Sequence, residues 1–168
     1  MKRKSCAFTG HRPRKLPWGY DETADGCIRL KEVLAKQITS LVEVGYTDFL
    51  SGMAEGVDTW AALIVLALRE NNPALRLCCI LPCKGQADKW SALAREVYNR
   101  ILIQADSVVY VSENYHQGCM LERNRYMVDH ADMLLAVYNG KWKGGTAATV
   151  RYAQKQGREI IIMNPNIN

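Results

Sequence analysis

Two runs, Met133-Leu134-Leu135-Ala136-Val137 and Ile160-Ile161-Ile162-Met163, are apolar at every position. A strand with one wet face alternates apolar and polar residues, whereas a strand covered by helices on both faces does not, so these runs read as strands of a parallel sheet. Val108-Val109-Tyr110-Val111 has the same character, and Leu75 to Leu81 nearly so. Shorter β-rich runs lie at about 5–9 and 46–51. Between the first two, Cys27, Leu30, Leu34, Ile38 and Leu41 recur at helical spacing, with Gly45 as a C-cap. Residues 57–70 are apolar on almost every side through Trp60, Leu63, Ile64, Leu66 and Leu68, which predicts a helix packed centrally and ended by Asn72-Pro73. Further helices are predicted near 90–103, 118–130 and 146–156. Regular alternation of strand and helix predicts an α/β fold: a doubly wound, mainly parallel sheet of about six strands flanked by helices.

A chain of 168 residues fits one domain, here 1–168, with a substantial core. Its 48% hydrophobic and 23% charged content matches a globular protein and argues against a disordered or fibrous one. No window approaches a membrane span, and Cys6-Ala7-Phe8 is far too short for the apolar core of a signal peptide, so a cytoplasmic location is expected. The six cysteines form no C-x-x-C pair and sit largely in apolar runs, which predicts buried free thiols. His11, His116 and His130 form no i, i+4 pair and no Cys/His cluster; no metal site and no required cofactor are expected, magnesium entering only with a phosphate. The formal charge of +5 permits a phosphate-bearing partner without requiring nucleic acid.

Five polar or glycine-containing segments each follow a strand and so should share the rim at the strands' C-terminal ends, where open parallel sheets bind ligands. They begin at Thr9, Ser51, Pro82, Ser112 and Lys143. In Thr9-Gly10-His11-Arg12-Pro13, Gly10 permits close backbone approach and Arg12 offers a planar fork of donors to phosphate or carboxylate. His11 has no adjacent carboxylate and reads as an orienting or hydrogen-bonding group rather than a general base. In Ser51-Gly52-Met53-Ala54-Glu55-Gly56-Val57-Asp58, two glycines four apart at a strand–helix junction resemble a phosphate cradle. Asp58 there either caps the helix or meets ligand, and Glu55, which would repel phosphate, could bind a ribose hydroxyl or act as a base. Lys143-Gly144-Gly145-Thr146 reads as a second anion-binding helix N-terminus.

Ser51 to Ala61 resembles the S-G-x-A-x-G-[IV]-D-x-x-A signature of the Smf/DprA proteins, which bind single-stranded DNA. Met120-Leu121-Glu122-Arg123-Asn124-Arg125-Tyr126-Met127, followed by Ala131-Asp132, is similar to the M-x-E-R-[KN]-x-x-M…A-D run of the Lonely guy (LOG) phosphoribohydrolases. Together these resemble the SLOG superfamily, which joins the two groups on a Rossmann-like fold, and most closely its YpsA-like branch, over essentially the full length. The resemblance implies that Arg123 serves a nucleotide phosphate and ribose site, with Glu122 and Asn124 as neighbours, and that self-association is plausible. LOG enzymes carry a catalytic glutamate in a P-G-G-x-G-T-x-x-E loop; with the glycines in register, Arg151 stands at that position.

The leading expectation is therefore a sensor or binding protein for a nucleotide or an ADP-ribose-like derivative, held by Thr9, Gly10, His11, Arg12, Ser51, Gly52, Glu55, Gly56, Asp58, Arg123, Asn124, Gly144, Gly145 and Thr146. The enzymatic alternative is a LOG-like phosphoribohydrolase or other nucleotide hydrolase with Glu55 or Glu122 as acid or base. A third is DprA-like binding of single-stranded DNA through Arg14, Lys15, Trp18 and Tyr20.

Overall fold

The computed structural model describes residues 2–166. Strands β1 (Lys4–Gly10), β2 (Tyr46–Ser51), β3 (Arg76–Leu81), β4 (Ser107–Tyr110), β5 (Met133–Val137) and β6 (Glu159–Met163) alternate with helices α1 (Asp25–Glu43), α2 (Val57–Arg69), α3 (Ala92–Gln104), α4 (Cys119–Asp129) and α5 (Gly145–Lys155). A short 3-10 turn, Pro13–Lys15, follows β1. All strand pairs are parallel, in the order β4-β3-β2-β1-β5-β6. The chain thus steps outward from β1 to the β4 edge and then returns to place β5 against the other side of β1. The ends of β1 and β5 are the topological switch point, where neighbouring loops diverge and leave a crevice.

Successive residues of the inner strands point to opposite faces, and both faces are apolar. Phe8, Phe49, Leu77 and Leu135 pack with α1, α2 and α3, while Ala7, Leu50, Ile80, Leu134 and Ala136 pack with α4 and α5. The first face carries the bulk, including Phe8 and Phe49 stacked at 5.8 Å. The second is built on alanines at Ala7, Ala131, Ala136 and Ala153. Helix α2 is the central one, packed on β1, β2 and β3 and flanked by α1 and α3.

Double-sided burial holds for β5, which is buried throughout, but not for two of the runs from which the sequence predicts it. Strands β4 and β6 are the edges: Val108 and Tyr110 are 38% and 45% exposed, and Ile162 is 51% exposed. An edge strand has one neighbour and the helices centre on the inner strands, so its apolar residues are only partly covered.

All six cysteines are free, and burial pushes the thiols of Cys6 and Cys79 up to about 12. At the rim opposite the switch point, Asp132 accepts hydrogen bonds from the Ser5 N–H (2.9 Å) and hydroxyl (3.2 Å), and Arg3 pairs with Asp48 at 2.6 Å. The A-D motif that follows α4 therefore braces the start of β1.

The switch point depends on Gly10 having no side chain: a Cβ there would lie 2.7 Å from Val57 Cβ and Cγ1. Gly10→Ala must push β1 away from α2 and is expected to destabilise the fold by about 1–3 kcal/mol. A Cβ at Gly145 meets nothing within 4 Å, so Gly145→Ala should leave the thermal midpoint nearly unchanged. Differential scanning calorimetry of the two variants checks the contrast.

Candidate functional site

A cavity of about 350 Å³ opens at the switch point. The β1 loop contributes Thr9, Gly10, His11 and Arg12; the 3-10 turn adds Arg14 and Lys15; the β2–α2 junction adds Ala54 and Asp58. Met120, Leu121, Arg123 and Asn124 reach it from α4, and Gly144, Gly145, Thr146 and Ala148 from α5.

The α5 end is a ready donor site. Gly144 caps the helix at φ +110°, a conformation that favours glycine, and no side chain caps the first turn. The leading N–H groups of a helix have no intrahelical partner and sit at its positive pole. A Cβ on Gly144 would lie 2.9 Å from Lys15 Nζ, so that ammonium stands against the same turn. Arg12, Arg14 and Lys15 are all exposed, and among the described residues none forms a hydrogen bond or ion pair through its side chain.

His11 stitches the two sides of the crevice together. Its backbone N–H donates to Val137 O (3.3 Å), and its Nε2 accepts from the Asn139 N–H (3.2 Å), which places the ring proton on Nδ1. Burial holds the imidazole below its ordinary pKa; the Asn139 side chain opposes this, and Lys15 and Lys141 add to it. A neutral orienting group fits this position.

Arg123 is buried beneath the cavity. Its guanidinium donates to the Gly52 carbonyl and, through Nε, to Asn124 Oδ1 at 2.8 Å, with Met120 Sδ at 3.8 Å. Burial raises the pKa of nearby Asp58, opposed by Arg123, by the Ala54 N–H (3.2 Å) and by Arg12. Burial likewise lowers Arg123, opposed by Asp58. Charge attraction therefore only partly offsets desolvation, as is usual for buried ions.

The β2–α2 loop differs from an open cradle. Ser51 Oγ accepts the Met53 N–H (3.2 Å) and donates to the Asp58 carbonyl (2.8 Å), while the Asp58 carboxylate takes the Ala54 N–H, so these donors are spent inside the loop. A Cβ on Gly52 would lie 2.6 to 2.8 Å from the Arg123 guanidinium, and one on Gly56 would lie 3.0 Å from Pro13 Cδ. The two glycines serve close packing. Met53, buried at φ +58°, is the non-glycine residue held in the left-handed region here.

The two carboxylates expected as acid or base lie elsewhere. Glu122 sits on the outer side of α4 facing His116 Nε2 at 3.4 Å, and Glu55 faces a neighbouring cleft. Asp58 is the one carboxylate that borders the switch-point cavity among the described residues. Arg151 lies over the Trp142 ring at 4.2 Å and donates to its carbonyl at 2.6 Å. Trp18 is tucked against the core beside Gly26 rather than presented for stacking. Ala54, Met120, Leu121 and Ala148 join the cavity without having been singled out as ligand contacts by sequence, and Arg14 and Lys15, read there as contacts for single-stranded DNA, line it too. A signal for Lys15 existed in Pro13, which starts the 3-10 turn that aims Arg14 and Lys15 inward. Among the described residues no three His, Cys, Asp or Glu side chains are grouped to hold a metal, and no helix is long and apolar enough to cross a membrane.

This sheet order and its switch-point cavity define a Rossmann-like α/β domain. The chain belongs to the YspA SLOG family, whose model matches residues 6–166. Relatives include a UPF0398 protein of Bacillus pumilus, 32% identical over 154 residues that cover 90% of this chain and 82% of that protein. Another, from Bacillus cereus, is 31% identical over 157 residues, covering 92% and 84%. Among solved structures, DNA processing protein A from Helicobacter pylori, described for its single-stranded DNA binding mode, superposes with a TM-score of 0.63 at 20% identity, covering 98% of this chain and 67% of that one. The X-ray structure of TM1055, a structural-genomics target, gives 0.58 at 15% identity, covering 94% and 72%. Both establish a shared fold.

Two outcomes follow from this geometry. Gly52→Ala displaces the Arg123 guanidinium from the Gly52 carbonyl and should cost about 1–3 kcal/mol in chemical denaturation. For His11, the unfolded imidazole takes a proton near pH 6.5 that the folded one resists, so its contribution is complete above that pH and is lost as pH falls. The thermal midpoint of the native protein should therefore drop more steeply as pH falls below about 6.5 than that of His11→Gln, measured by differential scanning fluorimetry.

Proposed function

We propose that this protein binds a nucleotide or an ADP-ribose-like derivative, with a phosphate seated at the N-terminus of α5 against Lys15, Arg12 and Arg14. The observation that carries this reading is the convergence of three exposed, unpaired cations and an uncapped helix N-terminus on one cavity. Its volume falls in the range of small-molecule sites. Backbone donors and a helix dipole suit phosphate, and the cations supply the opposing charge.

Binding is favoured over hydrolysis. Cleaving an N-glycosidic bond calls for a carboxylate to activate water or stabilise positive charge at the sugar. Asp58 borders the cavity, yet it is buried and engaged by the Ala54 N–H, and Arg151 stands in the loop position that carries a glutamate in LOG enzymes. Single-stranded DNA is the second reading. It draws on the likeness to DNA processing protein A and on the same three cations, but the inward packing of Trp18 removes one of the aromatic platforms it would use.

Isothermal titration with AMP, ADP-ribose and oligothymidylate, on the native chain and on Gly145→Glu, tests this. The substitution enters open space and places a carboxylate in the phosphate position, so it should leave the fold intact and weaken nucleotide binding about tenfold or more. Failure of both small molecules beside salt-sensitive oligonucleotide binding would replace this reading with the second.

A further inference from the structure

Beyond the phosphate cavity, on the other side of Pro13, lies a cleft of about 230 Å³ lined by Tyr20, Glu22, Glu55, Trp60 and Trp90. An intervening trough joins the two. It shares Arg12, Arg14 and Met120 with the phosphate cavity, and Tyr20, Glu55 and Trp90 with the aromatic cleft. The three depressions therefore adjoin along one groove, with Arg12, Arg14 and Lys15 at one end and Glu55, Tyr20, Trp60 and Trp90 at the other.

Resting on the nucleotide reading above, we infer that the aromatic cleft is a base subsite and that Glu55 accepts hydrogen bonds from ribose hydroxyls. Cations at one end, and a carboxylate together with aromatic rings at the other, match the phosphate at one end of a nucleotide and the sugar and base at the other. Glu55 is half-buried and, among the described residues, accepts no hydrogen bond from the protein. A carboxylate so placed repels phosphate but pairs well with a pair of hydroxyls. Its neighbour Glu22 is already engaged by Lys31, leaving Glu55 free for ligand. Trp90 is held edge-on by Tyr98 at 5.2 Å, so its ring is fixed in advance. Tyr20 is exposed, and the buried Trp60 forms the inner wall, with Lys31 Nζ over one face of its ring at 4.9 Å. Rigid aromatic faces of this kind stack on any base with little ordering cost.

The test compares AMP, 2′,3′-dideoxy-AMP and ribose 5-phosphate by isothermal titration on the native chain, Glu55→Ala and Trp90→Leu. Ribose 5-phosphate reports the phosphate cavity and the sugar contact without a base. On the native chain AMP should bind about tenfold or more tightly than either of the other two, since a stacked base and a satisfied carboxylate are each worth at least that. Trp90→Leu should bring AMP down to the level of ribose 5-phosphate while leaving ribose 5-phosphate itself unchanged. Glu55→Ala should erase the preference for AMP over its dideoxy analogue. Equal binding of AMP and ribose 5-phosphate overturns the base subsite while leaving the phosphate site standing. An unchanged preference for AMP over its dideoxy analogue in Glu55→Ala overturns the sugar contact. Binding of none of the three overturns the nucleotide reading and this inference with it.

Discussion

The buried guanidinium of Arg123 fixes the relation between the two halves of the domain. It comes from α4, on one face of the sheet, and is held by the carbonyl of Gly52, at the end of β2. Asn124 steadies its Nε, and Asp58, from the first turn of α2, supplies the nearest opposing charge. Because desolvation opposes the attraction between buried ions, this arrangement is weak evidence of a source of stability. Its effect is positional: a planar fork with several donors admits few geometries, and only a residue without a Cβ leaves room for it at position 52.

The crevice is a product of strand order. Three strands laid outward from β1 on one side, and two laid on its other side, force the loops after β1 and β5 to turn away from each other. His11 spans that divergence through Val137 and Asn139, and the crevice is furnished with whatever those loops and the helix starts of α4 and α5 carry. Here that is cationic on one flank and rich in unsatisfied backbone donors on the other. Three exposed cations, Arg12, Arg14 and Lys15, thus meet the positive pole of a helix where both lie open to solvent.

Much of this was legible in the sequence. The apolar runs and the helical spacings marked every strand and helix to within a residue or two, because period and turn chemistry are local properties. Strand order was not legible, since spacing carries no information about which strands pair. Edge exposure at β4 and β6 followed from that missing order. At the site, Thr9, Gly10, Arg12 and Gly144 to Thr146 stood out because glycines and cations at strand ends have few other uses. Glu122 and Arg123 are adjacent in sequence, yet about 100° apart around α4, so one turns outward and the other inward. Gly52 and Gly56 show a different limit: a glycine can expose backbone to a ligand or admit a neighbour's side chain, and composition does not distinguish the two.

The alanine-built face has a further consequence. Ala136 under α5, with Ala153 on the helix itself, acts as a shim that sets how low α5 rides over the sheet. Since Gly144 and Gly145 open that same helix, the height of its far end governs where its first N–H groups point. A change of one methyl group in the alanine layer would tilt the helix like a lever and re-aim its first N–H groups. The direction of those donors can therefore be set from beneath the sheet-facing side of α5, by residues that do not line the cavity.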